Sequence, residues 1–118
     1  MIVDDDAGRA TAIPAAVDIG SAVGVDPDGC TAVVCGTARN RHAEPRRVEL
    51  TLEEHYGRTA AFGRGVSGAV PADGATHPWC VLVTTDGDPF QPNHPGCAAA
   101  GFENDDAAAV TTARVHFY

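Results

Sequence analysis

Lysine is absent from this 118-residue chain, so all eight basic residues are arginine, set against eleven Asp and five Glu for a net charge of -8. A chain so acidic lacks the basic footprint that phosphate contacts need, and nucleic acid is not an expected partner. Serine is equally scarce. Only Ser21 and Ser67 occur, and Gly65-Val66-Ser67-Gly68-Ala69 fails the Gly-x-Ser-x-Gly elbow of a hydrolase nucleophile. No apolar run approaches the ~18 residues of a membrane-spanning helix, so membrane insertion is not expected. Met1-Ile2-Val3-Asp4-Asp5-Asp6 has neither the basic nor the apolar region of a signal peptide. No phosphate-binding or dinucleotide glycine pattern appears either.

What is present is alternation. From Ala15 to Val25 the odd positions are Ala15, Val17, Ile19, Ser21, Val23 and Val25, with small or polar residues between them. Asp26-Pro27-Asp28-Gly29 then reads as a turn, since Pro presets φ and Gly tolerates positive φ. Thr31–Val34 is a short apolar strand. Val48, Leu50 and Leu52 alternate with Glu49, Thr51 and Glu53, which predicts a half-buried strand. Thr51-Leu52-Glu53-Glu54 also fits a helical capping box, a second choice because one turn is marginal alone. Trp79, Val81 and Val83 share a face of another strand. Val115 and Phe117 do so near the C-terminus. Helical periodicity never persists. The expected fold is therefore all-β, a single antiparallel β-sandwich (Ig-like or a small barrel) over residues 1–118, with long Gly/Pro-rich loops and an acidic arm at residues 1–8.

The four cysteines fall at Cys30, Cys35, Cys80 and Cys97, the last two within the repeated tetrapeptides His77-Pro78-Trp79-Cys80 and His94-Pro95-Gly96-Cys97. In an extended chain the five-residue step from Cys30 to Cys35 spans about 16 Å with side chains on opposite faces. Mutual bridging needs Cα atoms within about 7 Å, so these two are not expected to pair. Cys80 and Cys97 flank the irregular Asp86–Gly96 stretch, and a disulfide between them is the expected staple. It would contribute about 3 kcal/mol in the chain-entropy model. A minor reading uses His77, Cys80, His94 and Cys97 as a tetrahedral zinc set. Cys80 with His94 could make a nucleophile and base on paper, but no third, orienting group is recognisable. No cofactor is expected.

Charge is unevenly spread. Arg39, Arg41, Arg46 and Arg47, half of all the arginines, fall within nine residues. As a patch they would dock an anion, and the Asp4-Asp5-Asp6 arm of another copy is a candidate, giving a head-to-tail contact. Asp26-Pro27-Asp28 and Asp86-Gly87-Asp88 match no calcium loop and read as turn chemistry. His42, His55 and His116 read as surface histidines.

The C-terminal third, with Asp73-Gly74, Trp79, Cys97 and the closing alternating strand, resembles the secreted antitumour apo-chromoproteins of actinomycetes over about 45 residues. That resemblance implies an acidic Ig-like sandwich with two short-loop disulfides. Cys30 and Cys35 do not stand where that family's first pair would be, and no ligand site transfers.

Together these features lead to the expectation of a non-catalytic structural or interaction protein, a subunit of a virion capsid, decoration, tail or surface layer. Its partners would be copies of itself or a scaffold or capsid-type protein, at a virion or extracellular surface. The alternatives are a secreted disulfide-stapled binding module, of small-ligand-carrier or protease-inhibitor type, and a small zinc-binding protein.

Overall fold

The computed structural model describes residues 16–105 and 109–118. Residues 1–8, and with them Asp4, Asp5 and Asp6, lie outside the described residues. Seven strands occur among the described residues: β1 Val17–Val25, β2 Thr31–Arg39, β3 Arg46–Tyr56, β4 Thr59–Val70, β5 Thr76–Thr85, β6 Pro95–Phe102 and β7 Thr111–Phe117.

The strands close into a barrel in the order β1-β2-β5-β4-β3-β6-β7. The all-β expectation holds, and the strands form a closed barrel. The ring is completed by a parallel pairing of β1 with β7, at Ala22↔His116 and Val23↔Phe117. The other seam, between β4 and β5, is equally thin, with only Gly63↔Thr85 and Arg64↔Thr84 in register.

Alternation decides which way each strand faces. Val48, Leu50 and Leu52 of β3, Trp79, Val81 and Val83 of β5, and Val115 and Phe117 of β7 all point inward and are buried. Strand β1 departs from strict alternation because its register against β2 shifts between Ile19 and Val23. The two extra residues on β1 leave Gly20–Ala22 without a register partner on β2 and keep the phase, so Val17 and Val23 are both buried while Ser21 between them is exposed. The Thr51–Glu54 segment is strand throughout, because its ladders to β4 and β6 bury Leu52.

Two close approaches fix the strand geometry. A Cβ on Gly36 would stand 2.0 Å from the Asp18 carbonyl oxygen and 2.7 Å from the Trp79 ring, so only glycine allows β1, β2 and Trp79 to meet there. Gly29, at φ 75°, turns the chain from β1 into β2 beneath Phe90.

Pro78 sits inside β5, where a central-strand proline would normally remove a ladder bond. Its position shows why it does not. The Cys35↔Cys80 pair has a Cα separation of 4.0 Å, which marks a non-hydrogen-bonded rung of the β2–β5 ladder. Thr37↔Pro78 lies two residues away and belongs to the same class. The missing N–H therefore points away from β2, toward the thinly paired β4 side.

Candidate functional site

At one end of the barrel Asn40 is fully buried, and its Nδ2 donates to the carbonyls of Glu44 (3.0 Å) and Val70 (2.9 Å). Its Oδ1 accepts the His42 N–H at 2.9 Å. The arginine cluster surrounds this corner, but half of it is already engaged. Arg46 pairs with Asp105 at 3.1 Å and Arg47 with Glu103 at 3.6 Å. The Glu103 carboxyl is held below its ordinary value, first by the Arg47 backbone N–H and then by the Arg47 charge. His42 also contacts Asp105, at 3.0 Å, and packs edge-on to Phe102. Arg39 reaches Thr76, and Arg41 is exposed. The four arginines thus share one end of the barrel, with Arg46 and Arg47 paired to carboxylates and Arg41 and Arg47 both exposed.

The cysteine expectation is corrected. The disulfide joins Cys35 to Cys80, not Cys80 to Cys97. The physical reason is register: β2 and β5 are ladder neighbours and bring these two residues opposite each other, on the outer face of the barrel. Cys97 instead stands on β6 between Glu53 of β3 and Arg114 of β7. Cys30 and Cys97 are free and exposed. Cys30 and Cys35 do not pair, as strand geometry requires. The zinc set of His77, Cys80, His94 and Cys97 is not assembled. Cys80 is consumed by the disulfide, and His77 contacts the Asp73 carboxylate at 2.9 Å near the end of the barrel opposite His94. The Asp73 carboxyl lies below its ordinary value, through the Ala75 N–H first and His77 second. No group of three or more metal-donor side chains occurs among the described residues. Ser67 is buried, accepting the Val48 N–H and donating to the Gly68 carbonyl, which is a structural role.

The disulfide lies within the most unusual surface of the molecule. Along β2 and β5 the outward rungs are Thr31↔Thr84, Val33↔Leu82, Cys35↔Cys80 and Thr37↔Pro78, and Gly24 of β1 continues the Val33 rung. None of these β2 and β5 residues is charged, in a chain with 20% charged residues; the charges nearest them are Asp18 of β1, which continues the Thr37 rung, and Arg64 of β4, which continues the Thr84 rung. Leu82 is 61% exposed and its partner Val33 40%, so two large apolar side chains meet in water beside the disulfide. Asp18 and Arg39 flank the face at one end and Asp26 at the other.

The outer surface over β4, β3, β6 and β7 is different in kind. There Glu49 and Glu53 of β3, Arg64 of β4 and Arg114 of β7 are exposed, and His55 contacts Glu53 at 2.8 Å. A groove of about 300 Å³ runs over β4, β3 and β6, with small residues Gly65, Ala99 and Gly101 and the side chains Val66 and Val110 along it.

No protein-family model matches the chain, and no curated protein matches it.

The uncharged face could be found in the sequence only after pairing was known. Thr31-Ala32-Val33-Val34-Cys35 and Trp79-Cys80-Val81-Leu82-Val83 each look like buried strand, and the ladder decides which residues face out. Asn40 has no comparable local mark. Glu54 does have one, because it extends the inward phase of Val48, Leu50 and Leu52.

Proposed function

We propose that this protein is a non-catalytic structural or interaction protein that joins copies of itself through the apolar outer face of β2 and β5, centred on Val33 and Leu82. The observation carrying this reading is the exposed Val33–Leu82 pair beside the Cys35–Cys80 disulfide, on rungs that hold no charge. Soluble proteins rarely leave large apolar side chains together in water, and where they do the patch marks an interaction site. A second copy suits the face because a net charge of -8 makes copies repel elsewhere, whereas the Val33–Leu82 centre of this face carries no charge.

Four rungs by two strands give at most about 300 Å² of plan area, against about 800 Å² per partner in a standard stable interface. The contact is therefore weak in isolation and becomes effective through repetition, as in a shell, tube or surface layer. The two thin seams further support reading the barrel as two packed layers, β1-β2-β5 against β4-β3-β6-β7, in the manner of an Ig-like sandwich.

Sedimentation velocity at about 0.1 M and about 1 M salt tests the reading, since the screening length falls from ~10 to ~3 Å between them. Face-to-face association strengthens with salt and is abolished by L82R. The arginine–aspartate contact between the Arg39–Arg47 region and Asp4–Asp6 does the opposite. A wild-type chain that is monomeric at millimolar concentration in both salts, or an L82R chain that associates as well as wild type, refutes the proposal.

A second reading, the disulfide-stapled binding module, is favoured by the groove over Gly65, Ala99 and Gly101. Saturable binding of an apolar fluorescent probe, lost in V66D and retained in L82R, would support it over the first.

A further inference from the structure

Beyond that surface, one buried group stands apart. The inward row of β3 runs Val48, Leu50, Leu52 and then Glu54, a carboxylate whose residue is 0% exposed. Its Oε1 accepts the Gln91 N–H at 2.8 Å. Its Oε2 is the buried side-chain oxygen left without a hydrogen-bond partner among the described residues. Gln91 belongs to the Asp86–His94 segment, which crosses this end of the barrel as a strap.

The strap is fastened at both ends by backbone bonds. Asp86 N–H donates to the Phe62 carbonyl (2.8 Å), Asn93 N–H to the Phe117 carbonyl (2.7 Å), and Phe117 N–H to the His94 carbonyl (2.9 Å). Between them Phe90 is buried and stacks on Phe117 with ring centroids 5.4 Å apart. The Tyr56 hydroxyl donates to the Pro89 carbonyl at 2.5 Å. Glu54 is thus the ionisable group beneath the middle of a closure that is otherwise apolar or hydrogen-bonded.

The titratable groups around it are few. His94 of the strap acts on it electrostatically, and Glu54 in turn acts on the Tyr56 hydroxyl, which Asp88 of the strap also influences. Its ladder partners, Ala61 on β4 and Gly96 on β6, bring no charge.

We propose that Glu54 is a pH-operated latch on the Asp86–His94 strap, which closes firmly when the carboxyl is protonated and loosens around Pro89–Gln91 when it ionises. An ionised carboxylate with one hydrogen bond in a dry site is costly, and the cost is relieved when the strap lifts and water reaches Oε2. The direction of the carboxyl's titration agrees: burial pushes Glu54 above its ordinary value, against the opposing effects of the Gln91 N–H and of His94. The closed form binds the proton more tightly than the open one. Its stability is therefore full at low pH and declines as pH rises through the elevated titration range. Loosening exposes Phe90, so the strap changes the apolar surface at this end of the barrel.

Amide hydrogen exchange, corrected for the intrinsic pH dependence, reads the latch directly. The Phe90 and Gln91 amides of the intact protein should lose about tenfold in protection for each unit by which the Glu54 titration is displaced, since one unit corresponds to about 1.4 kcal/mol. The Val34 and Val81 amides of the β2–β5 ladder should not follow. In E54Q the strap protection should be flat with pH. A flat profile in the wild type, or an unchanged slope in E54Q, overturns the proposal. Should E54Q fail to fold, the carboxyl carbon of Glu54 in the wild-type protein decides by NMR. Its titration midpoint must coincide with the loss of strap protection, and a midpoint in the ordinary carboxylate range refutes the latch.

Discussion

Removing the Asn40 side chain gives the sharpest test of how the barrel end is held. In N40A two donor bonds and one acceptor bond disappear together. The three orphaned backbone groups are not equivalent. Glu44 is exposed and His42 half-exposed, so water replaces the lost partner and each costs about 0.5 kcal/mol. Val70 is buried at 3% exposure, and its carbonyl, left without a donor, costs about 1–3 kcal/mol. The sum is about 3 kcal/mol. With an m-value of about 1.5 kcal/mol/M, the urea midpoint should fall by about 2 M. N40D separates hydrogen bonding from packing, because it keeps the acceptor for the His42 N–H but replaces both donors by a carboxylate facing two carbonyls. It should be at least as damaging at neutral pH and partly recover in acid, where the protonated carboxyl can donate one bond. A loss below about 1 kcal/mol in N40A, measured under oxidising conditions so that the disulfide is constant, would refute the assignment of Asn40 as the corner of this end.

Three further outcomes follow from the same geometry. Thiol labelling of the oxidised, folded protein should find two reactive cysteines, Cys30 and Cys97, and peptide mapping should recover Cys35 linked to Cys80; a Cys80–Cys97 peptide would refute the β2–β5 register. Opening the Cys35–Cys80 link, which spans 45 residues, by a double Cys→Ser change should cost about 4 kcal/mol in the chain-entropy model, read as a lower urea midpoint. G36A should unfold the β1–β2–Trp79 contact, since the new methyl would overlap the Asp18 carbonyl oxygen; G68A, where nothing lies within 4 Å of the added carbon, is the control and should be close to neutral.

Strands with strict alternation were legible in the sequence. Val48-x-Leu50-x-Leu52, Trp79-x-Val81-x-Val83 and Val115-x-Phe117 declare their inward faces, because a period of two puts alternate side chains on one side of any sheet. Strands β4 and β6 were not legible. Their Ala- and Gly-rich stretches, such as Gly63-Arg64-Gly65 and Ala98-Ala99-Ala100-Gly101, carry little alternating contrast. They are strands because β3 lies between them with ladders on both sides. The Asp86–Gly96 region was recognisable as irregular, but what orders it is Phe90 beneath Phe117 and Glu54 beneath Gln91, not a cysteine pair at its two ends.

By itself the sequence determined an acidic, lysine-free, all-β chain with its apolar rows already sorted, since charge and side-chain period are local properties. Tertiary structure alone decided the partners: Cys35 with Cys80, Val33 with Leu82, Arg46 with Asp105, Glu54 with Gln91. Each of these depends on which strands become neighbours, and neighbour choice is a property of barrel closure that no short window of residues contains.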